Sequence, residues 1–111
     1  MNIKTTSTFR KDFKQLFKKD RYLLLEYEKL LTKLNTNPTL GTILGKNIYK
    51  IRLQNRSNNK GKSAGYRVIT YTKIEDTILI VSIYSKSDSD SISDKKIAEL
   101  IKQYLLLSNY I

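Results

Sequence analysis

The spacing of apolar residues changes near Pro38, and this change sets the class of fold. Before it, apolar residues recur every three or four positions, which is typical of two amphipathic helices over residues 8–36 with a break near Asp20. After it, three segments rich in β-branched and aromatic residues are predicted to be strands: 48–53, 66–72 and 78–84. A last helical stripe includes Ile97, Leu100 and Tyr104.

With a short strand candidate at residues 3–6, the predicted order is β-α-α-β-β-β-α. Consecutive strands with short connections favour an antiparallel sheet, so the sequence predicts an α+β fold with its helices on one face. An N-terminal helical hairpin would pack on that face. Gly41 and Gly45 indicate a loop before the first of the three strands. The length of 111 residues suits one domain, residues 1–111.

The composition excludes several classes of function. The chain has no cysteine and no histidine, which rules out disulfides, thiolate metal sites and the commonest general base. No acidic pair with metal spacing lies near the basic residues, so neither a metal site nor another cofactor is predicted. No apolar run reaches the roughly 18 residues of a membrane span, and the first residues lack a signal-peptide core. We therefore expect a cytoplasmic protein without a membrane partner.

The net charge of +11 is concentrated in one segment of the chain. Residues 29–74 contain ten Lys or Arg and no Asp or Glu, whereas residues 75–111 are net acidic. A one-sided positive charge attracts polyanions, and phosphate backbones are the common target. A basic surface that serves only solubility is the alternative, although such surfaces usually mix both signs. The segment therefore predicts a nucleic-acid partner, with RNA favoured.

Strand alternation selects the residues that would hold a phosphate. Lys50 and Arg52 lie two positions apart on one strand, so their side chains leave the same face, which we expect to be free of helices. Arg67 lies on the next strand, and Tyr84 and Lys86 end the strand after it. The predicted catalytic set is Lys50, Arg52, Arg67, Tyr84 and Lys86, and the predicted RNA-binding set is Lys46, Arg56, Lys60, Lys62 and Tyr66.

Cations of this kind can promote the cleavage of RNA by its own 2′-hydroxyl. They stabilise the charge that develops on the phosphorus centre and align the attacking oxygen. A tyrosine or lysine in the cluster can move the protons. An ordinary solvated strand face remains the alternative for Lys50 and Arg52. A purely structural role is hardest to accept for Arg67, since a desolvated arginine needs a partner.

Five stretches around these residues form an ordered set of motifs: Asn37-Pro38-Thr39-Leu40-Gly41-Thr42, Tyr49-Lys50-Ile51-Arg52-Leu53, Gly61-Lys62-Ser63-Ala64-Gly65-Tyr66-Arg67-Val68-Ile69, Ile83-Tyr84-Ser85-Lys86-Ser87 and Ile92-Ser93-Asp94-Lys95-Lys96-Ile97. In kind and order they resemble the motifs of the RelE/HigB branch of the RelE/ParE toxin superfamily, and the resemblance covers essentially the whole chain. Ala64 stands where a glycine is common in that family's motif.

The resemblance implies a RelE-like toxin that enters the A site of the 30S ribosomal subunit and cleaves mRNA there. It also implies a cognate antitoxin, with a toxin–antitoxin complex that binds operator DNA. By motif, Lys50, Arg52 and Arg67 would hold the scissile phosphate, and Lys62 would contact RNA beside it. Lys86 matches a basic position of the family, next to Tyr84. The general acid and base are not assigned, because some relatives use a histidine or a C-terminal tyrosine.

Two other functions remain open at the level of sequence. One is a ParE-like inhibitor of DNA gyrase, which would stop replication before translation. The other is an RNA-binding regulatory module without catalytic activity, which would bind mRNA without cutting it.

Overall fold

A computed structural model describes residues 2–56, 65–89 and 91–108. The elements, in chain order, are β1 (Asn2–Thr5), α1 (Ser7–Lys19), α2 (Leu23–Thr36), β2 (Thr42–Gly45), β3 (Ile48–Leu53), β4 (Tyr66–Tyr71), β5 (Thr77–Ser85) and α3 (Asp94–Ser108). The predicted α+β class and the helical hairpin α1–α2 are confirmed. None of the helices in these ranges is long and apolar enough to cross a membrane.

The five strands form one mixed sheet in the order β1-β5-β4-β3-β2. The four strands β2 to β5 pair antiparallel, as the sequence predicts, but β1 pairs parallel to β5, with Ile3 opposite Ile78. A parallel pair needs a long crossover between its strands, and here everything from α1 to β4 provides it. Short-range patterns carry no information about such a distant pairing.

Residues 42–45, expected to be a loop, form the edge strand β2 instead. Thr42 lies opposite Lys50 and Ile43 opposite Tyr49. The strand is short and bounded by glycines, which hides it in the sequence. Gly41 leads into it with a φ of +107°, and a Cβ there would collide with the carbonyl oxygen of Lys50. Glycine therefore allows β2 to lie close against β3.

The sheet has two covered faces. On the first, which we call the hairpin face, α1 and α2 pack on a cluster that includes Ile51, Leu53, Val68 and Ile80. On the opposite face, which we call the α3 face, Ile97, Leu100 and Ile101 of α3 pack on Ile69, Leu79 and Val81. The prediction that all helices share one face, leaving the other free of helices, is therefore wrong.

The reason lies in the composition of β5. Residues 78–83 of this strand are all buried, including neighbours that point to opposite faces. A strand that is apolar on both faces needs a layer on each side. Since α1 and α2 cover only the hairpin face, α3 must supply the second layer.

The start and end of α1 are fixed to the sheet by side chains. Thr6 accepts a hydrogen bond from the Phe9 amide at 2.9 Å, and its hydroxyl donates to the Val81 carbonyl oxygen at 2.7 Å. At the other end the Asp20 carboxylate accepts the Tyr66 hydroxyl at 2.7 Å and the Tyr22 amide at 3.0 Å. These contacts hold the helical hairpin in register with β4 and β5.

Candidate nucleic-acid interface

Three residues of the predicted catalytic set form a line across the α3 face. The pairing register places Arg52 of β3 directly opposite Arg67 of β4, and Arg67 directly opposite Tyr84 of β5. Directly opposed residues of antiparallel strands have Cβ atoms about 4.5–5.5 Å apart. We call Arg52, Arg67 and Tyr84 the cross-strand row. Alternation along a strand puts all three on the face opposite Ile51 and Val68.

Lys50 lies on the same face as the cross-strand row, two residues before Arg52 in β3. It pairs with Ile69, which in turn pairs with Ser82. Lys50 is half-buried and Arg52 is exposed. Neither makes an ion pair with a carboxylate among the residues that the structure describes. Both cations are therefore available to a phosphate from outside the protein.

Arg67 is the most deeply placed cation of the row. It is 5% exposed, and one nitrogen of its guanidinium group donates to the Tyr66 carbonyl oxygen at 3.2 Å. Like charges placed directly opposite each other destabilise a sheet, so the Arg52–Arg67 pairing costs folding free energy. A bound phosphate would relieve this repulsion, because the planar guanidinium group can offer two parallel hydrogen bonds to phosphate oxygens.

Tyr84 ends the row and is half-buried. Burial raises the pKa of its phenol, and the positive charge of Arg67 partly opposes that shift. The net effect is upward from a usual value of 10.0, so the phenol is protonated at neutral pH. Within the described part of the chain its hydroxyl forms no hydrogen bond. Tyr84 can therefore donate a proton or a hydrogen bond to an oxygen bound next to Arg67.

Lys86 follows the row directly. Its backbone amide donates to the Gly65 carbonyl oxygen at 2.9 Å, which fixes the chain just after β5. Gly65 is required there, because a Cβ would collide with the carbonyl oxygen of Leu53. The half-buried side chain of Lys86 starts two residues beyond Tyr84.

The structure places Tyr66, a residue of the predicted RNA-binding set, away from the cross-strand row. It is 2% exposed, lies on the hairpin face and donates its hydroxyl to Asp20. Burial, followed by the hydrogen bond to Asp20, holds the pKa of Tyr66 well above its usual value. Tyr66 precedes Arg67 in β4, and neighbours in a strand point to opposite faces. The alternation that puts Arg67 on the α3 face therefore puts Tyr66 on the hairpin face.

Two of the remaining predicted RNA contacts, Arg56 and Lys46, lie away from the row. Arg56 donates to Glu26 of α2 at 3.1 Å, a carboxylate that Lys29 also approaches at 3.4 Å. Lys46 lies in the turn between β2 and β3, at the opposite end of β3 from Arg52 and about 20 Å away at the rise of a strand. Lys60 and Lys62 lie outside the described residues.

Two cavities adjoin Tyr84 and bring in residues that the sequence did not single out. One, of about 300 Å³, lies between α1 and the end of β5, and the other, of about 170 Å³, lies between α1, β5 and the start of α3. Asp12 lines both. It is the only acidic residue of α1, and that isolation was the signal available in the sequence. Ser82 lines the smaller cavity and gave no such signal.

A metal site has no support in the described ranges, where no three His, Cys, Asp or Glu residues are close enough to hold an ion. The chemistry available at the row is thus that of cations and a phenol. These groups can bind a phosphate, stabilise negative charge on it and donate a proton.

Comparison with known proteins identifies the family. The model of the family described as the RelE toxin of the RelE/RelB toxin–antitoxin system matches residues 5–109. The chain belongs to the RelE toxin family. It is therefore a toxin of a toxin–antitoxin system, as its motifs predict, and membership of the family implies an antitoxin partner.

A solved structure supports the fold of this RelE-family protein. The E. coli toxin RelE, solved in the free state as a double arginine-to-alanine mutant, superposes with a TM-score of 0.58 at 18% sequence identity. The similarity covers 92% of this chain and 95% of that chain. At this level of identity it shows a shared fold. None of the curated proteins compared with the chain matches it.

Proposed function

We propose that this RelE-family toxin is an endoribonuclease that cleaves mRNA in the A site of the small ribosomal subunit. The observation that carries the proposal is the cross-strand row, in which two arginines stand directly opposite each other beside a protonated phenol. This arrangement suits a phosphodiester that gains negative charge during reaction. Family membership supports the assignment to a toxin, and the row supports the chemistry.

The reaction begins with attack of the 2′-oxygen of the RNA on the adjacent phosphorus. A bond forms between that oxygen and phosphorus, and the bond from phosphorus to the 5′-oxygen breaks. The products are a 2′,3′-cyclic phosphate and a 5′-hydroxyl. The proton of the 2′-hydroxyl passes to water, and a proton must reach the leaving 5′-oxygen. No metal ion takes part in this scheme.

Each residue of the predicted catalytic set has a role in this scheme. Arg67, held in place by burial and by its bond to the Tyr66 carbonyl, binds the nonbridging phosphate oxygens from within the sheet. Arg52 and Lys50, on the neighbouring strand, bind them from the exposed side. Tyr84 donates the proton to the leaving oxygen, since its phenol is protonated at neutral pH. Lys86 binds the phosphate that follows in the strand.

The proposed target has consequences for partners and place of action. A toxin that acts on ribosomes works in the cytoplasm, so its gene needs an antitoxin that is made alongside it. We propose that the cognate antitoxin covers the cross-strand row. The complex would bind the operator DNA of its own operon.

The proposal is tested by brief induction of the toxin without antitoxin, followed by mapping of 5′-hydroxyl ends on mRNA. Wild-type protein should produce cuts within codons and stop translation. The double variant Lys50→Ala with Arg67→Ala should lose both effects. A matched control is Lys33→Ala with Lys73→Ala, which also removes two positive charges, on α2 and on the turn after β4, and should stay toxic.

Since Arg67 is buried, its replacement can also affect folding. Arg52→Gln, at an exposed position, provides the second test, with circular dichroism of both variants to confirm the fold. Full toxicity of folded Arg52→Gln together with the folded double variant would refute the site. Arrest of replication before translation, with intact mRNA, would instead favour the gyrase inhibitor.

A further inference from the structure

The strand β5 has a bulge just before its residue of the cross-strand row. Thr70 of β4 pairs with Ile80, but its neighbour Ile69 pairs with Ser82, so the pairing passes over Val81. A bulge of this kind sets two residues of one strand against one residue of its partner. Bulges are frequent next to active sites, where they redirect a side chain.

The bulge determines which face of the sheet Tyr84 occupies. Before the bulge, Ile80 lies on the hairpin face and Val81 on the α3 face. Strict alternation would then put Ile83 on the α3 face and Tyr84 on the hairpin face. The structure has the reverse, with Ile83 in the hairpin-face cluster and Tyr84 packed against the α3-face cluster. Without the bulge, the register of Thr70 with Ile80 would continue to Arg67 opposite Ile83, and the row would contain no phenol.

Two buried hydroxyl groups indicate that the bulge costs stability. In the described part of the chain, the side-chain oxygens of Thr70 and Ser82 are buried without a hydrogen-bond partner, and these residues stand on the two strands of the bulge. A buried hydroxyl group without a partner is unfavourable. A regular pairing with apolar side chains would pack better, so the bulge needs an explanation other than packing.

Thr6, between β1 and α1, holds the bulge in place. Its backbone amide donates to the Ile80 carbonyl oxygen at 3.2 Å, and its hydroxyl donates to the Val81 carbonyl oxygen at 2.7 Å. One residue therefore binds the two successive carbonyl groups at which the register changes. Thr6 is itself fixed, since it is 5% exposed and its hydroxyl accepts the Phe9 amide at 2.9 Å.

We propose that Thr6 is a positioning residue for RNA cleavage, whose hydroxyl holds the β5 bulge and so keeps Tyr84 opposite Arg67. The inference rests on the proposed function, because it concerns the proton donor of that reaction. Thr6 acts through Tyr84 and needs no contact with RNA. The alternative is that Thr6 serves only to cap α1, in which case its loss would lower stability and leave Tyr84 in place.

The first experiment measures the position of Tyr84 without depending on catalysis. Nuclear Overhauser contacts between the Tyr84 ring and the Arg67 side chain are recorded by NMR on the purified toxin. Wild type should show these contacts, and so should Thr6→Ser, which keeps the hydroxyl. Thr6→Val keeps the shape of the side chain without its hydroxyl and should lose most of them. Undiminished contacts in folded Thr6→Val would overturn the inference.

A matched control separates the bulge from helix capping. Ser93→Ala removes the hydroxyl that accepts the Lys96 amide at 3.1 Å at the start of α3, so it also loses a cap but no bond to β5. Its ring contacts at the row should equal those of wild type, and their loss would overturn the inference. Should Thr6→Val fail to fold, Thr6→Asp takes its place, because aspartate still caps α1 but offers no proton to the Val81 carbonyl oxygen.

The second experiment is a double-mutant cycle on the rate of mRNA cleavage with purified ribosomes. Thr6→Val should lower the rate about 100-fold, the usual effect of a misplacement of about 1 Å, whereas Thr6→Ser and Ser93→Ala should cleave like wild type. Tyr84→Phe should lower the rate by about 100-fold or more. In that background Thr6→Val should cost little further, because the two residues act as a unit.

The outcomes distinguish the inference from the proposed function. Losses that multiply in the double variant would mean that Thr6 does not act through Tyr84, and they would overturn the inference. Absence of any cleavage by wild type would instead overturn the proposed function. The NMR contacts would then still decide whether Thr6 holds Tyr84 opposite Arg67.

Discussion

Replacement of Arg52 by glutamine should stabilise the protein and inactivate it at the same time. Arg52 stands directly opposite Arg67, and no carboxylate among the described residues forms an ion pair with Arg52. Two unit charges about 6 Å apart repel by about 0.7 kcal/mol even at the dielectric constant of water. Because Arg67 is buried, the repulsion should reach this value or exceed it slightly.

The expected effects can be measured on one purified preparation. The free energy of unfolding of Arg52→Gln should rise by about 0.7 kcal/mol, which corresponds to a midpoint about 4 °C higher for a domain of this size. RNA cleavage should fall by about 100-fold or more, the usual cost of losing one donor to transition-state charge. Lys73→Gln, an exposed substitution in the turn after β4, is the control and should change neither quantity appreciably.

The salt dependence of the stabilisation distinguishes relief of charge repulsion from a general improvement in packing. At about 1 M salt the screening length is about 3 Å, so the stabilisation by Arg52→Gln should shrink towards zero. A variant that is less stable than wild type, or one that is stabilised equally at low and high salt, would refute the repulsion. Undiminished cleavage by folded Arg52→Gln would refute its role in phosphate binding.

Three further changes test other parts of the structure. Tyr66→Phe removes the hydrogen bond to buried Asp20 and should lower the free energy of unfolding by about 1–3 kcal/mol in urea denaturation at pH 8. Because the pKa of Tyr66 is raised in the folded protein, the stability of wild type should fall as the pH rises above 10.0. The loss of stability caused by Tyr66→Phe should therefore be smaller at pH 11 than at pH 8. An equal loss at both pH values would contradict this linkage. Gly65→Ala brings a Cβ against the Leu53 carbonyl oxygen and should destabilise by about 1–3 kcal/mol, measured as a lower thermal midpoint. Lys50→Ala should reduce the salt dependence of RNA binding by about one unit of log–log slope, measured by fluorescence anisotropy, with Lys73→Ala unchanged.

The sequence predicted most of the fold because local patterns determine most of it. The helical stripes placed α1, α2 and α3, and strand alternation put Arg52 and Arg67 on one face, where the structure also has them. What local patterns omit is the pairing of distant segments. The parallel pairing of β1 with β5 and the placement of α3 opposite the hairpin are of this kind.

At the site, the positions of several residues also depend on tertiary structure. Tyr66 and Arg67 are neighbours in β4, so their side chains lie on opposite faces of the sheet, and Tyr66 is buried. Arg56 was assigned by charge, whereas its partner Glu26 lies 30 residues earlier on α2. Ser82, and the position of Asp12 beside it, became visible only when α1, β5 and α3 came together around one cavity.

The order in which the strands are made has a consequence for the cell. The interior strand β5, which lies between β1 and β4, is synthesised after all the other strands. β1 therefore cannot pair with its neighbour β5 until nearly the whole chain has been synthesised. The same late strand brings Tyr84 next to Arg67. Any nascent or prematurely terminated chain that ends before β5 lacks both the complete five-stranded sheet and the cross-strand row. Under the proposed function, nonsense mutations should thus give fragments without toxicity, and the nascent toxin should be unable to act on its own ribosome until the last strand has emerged.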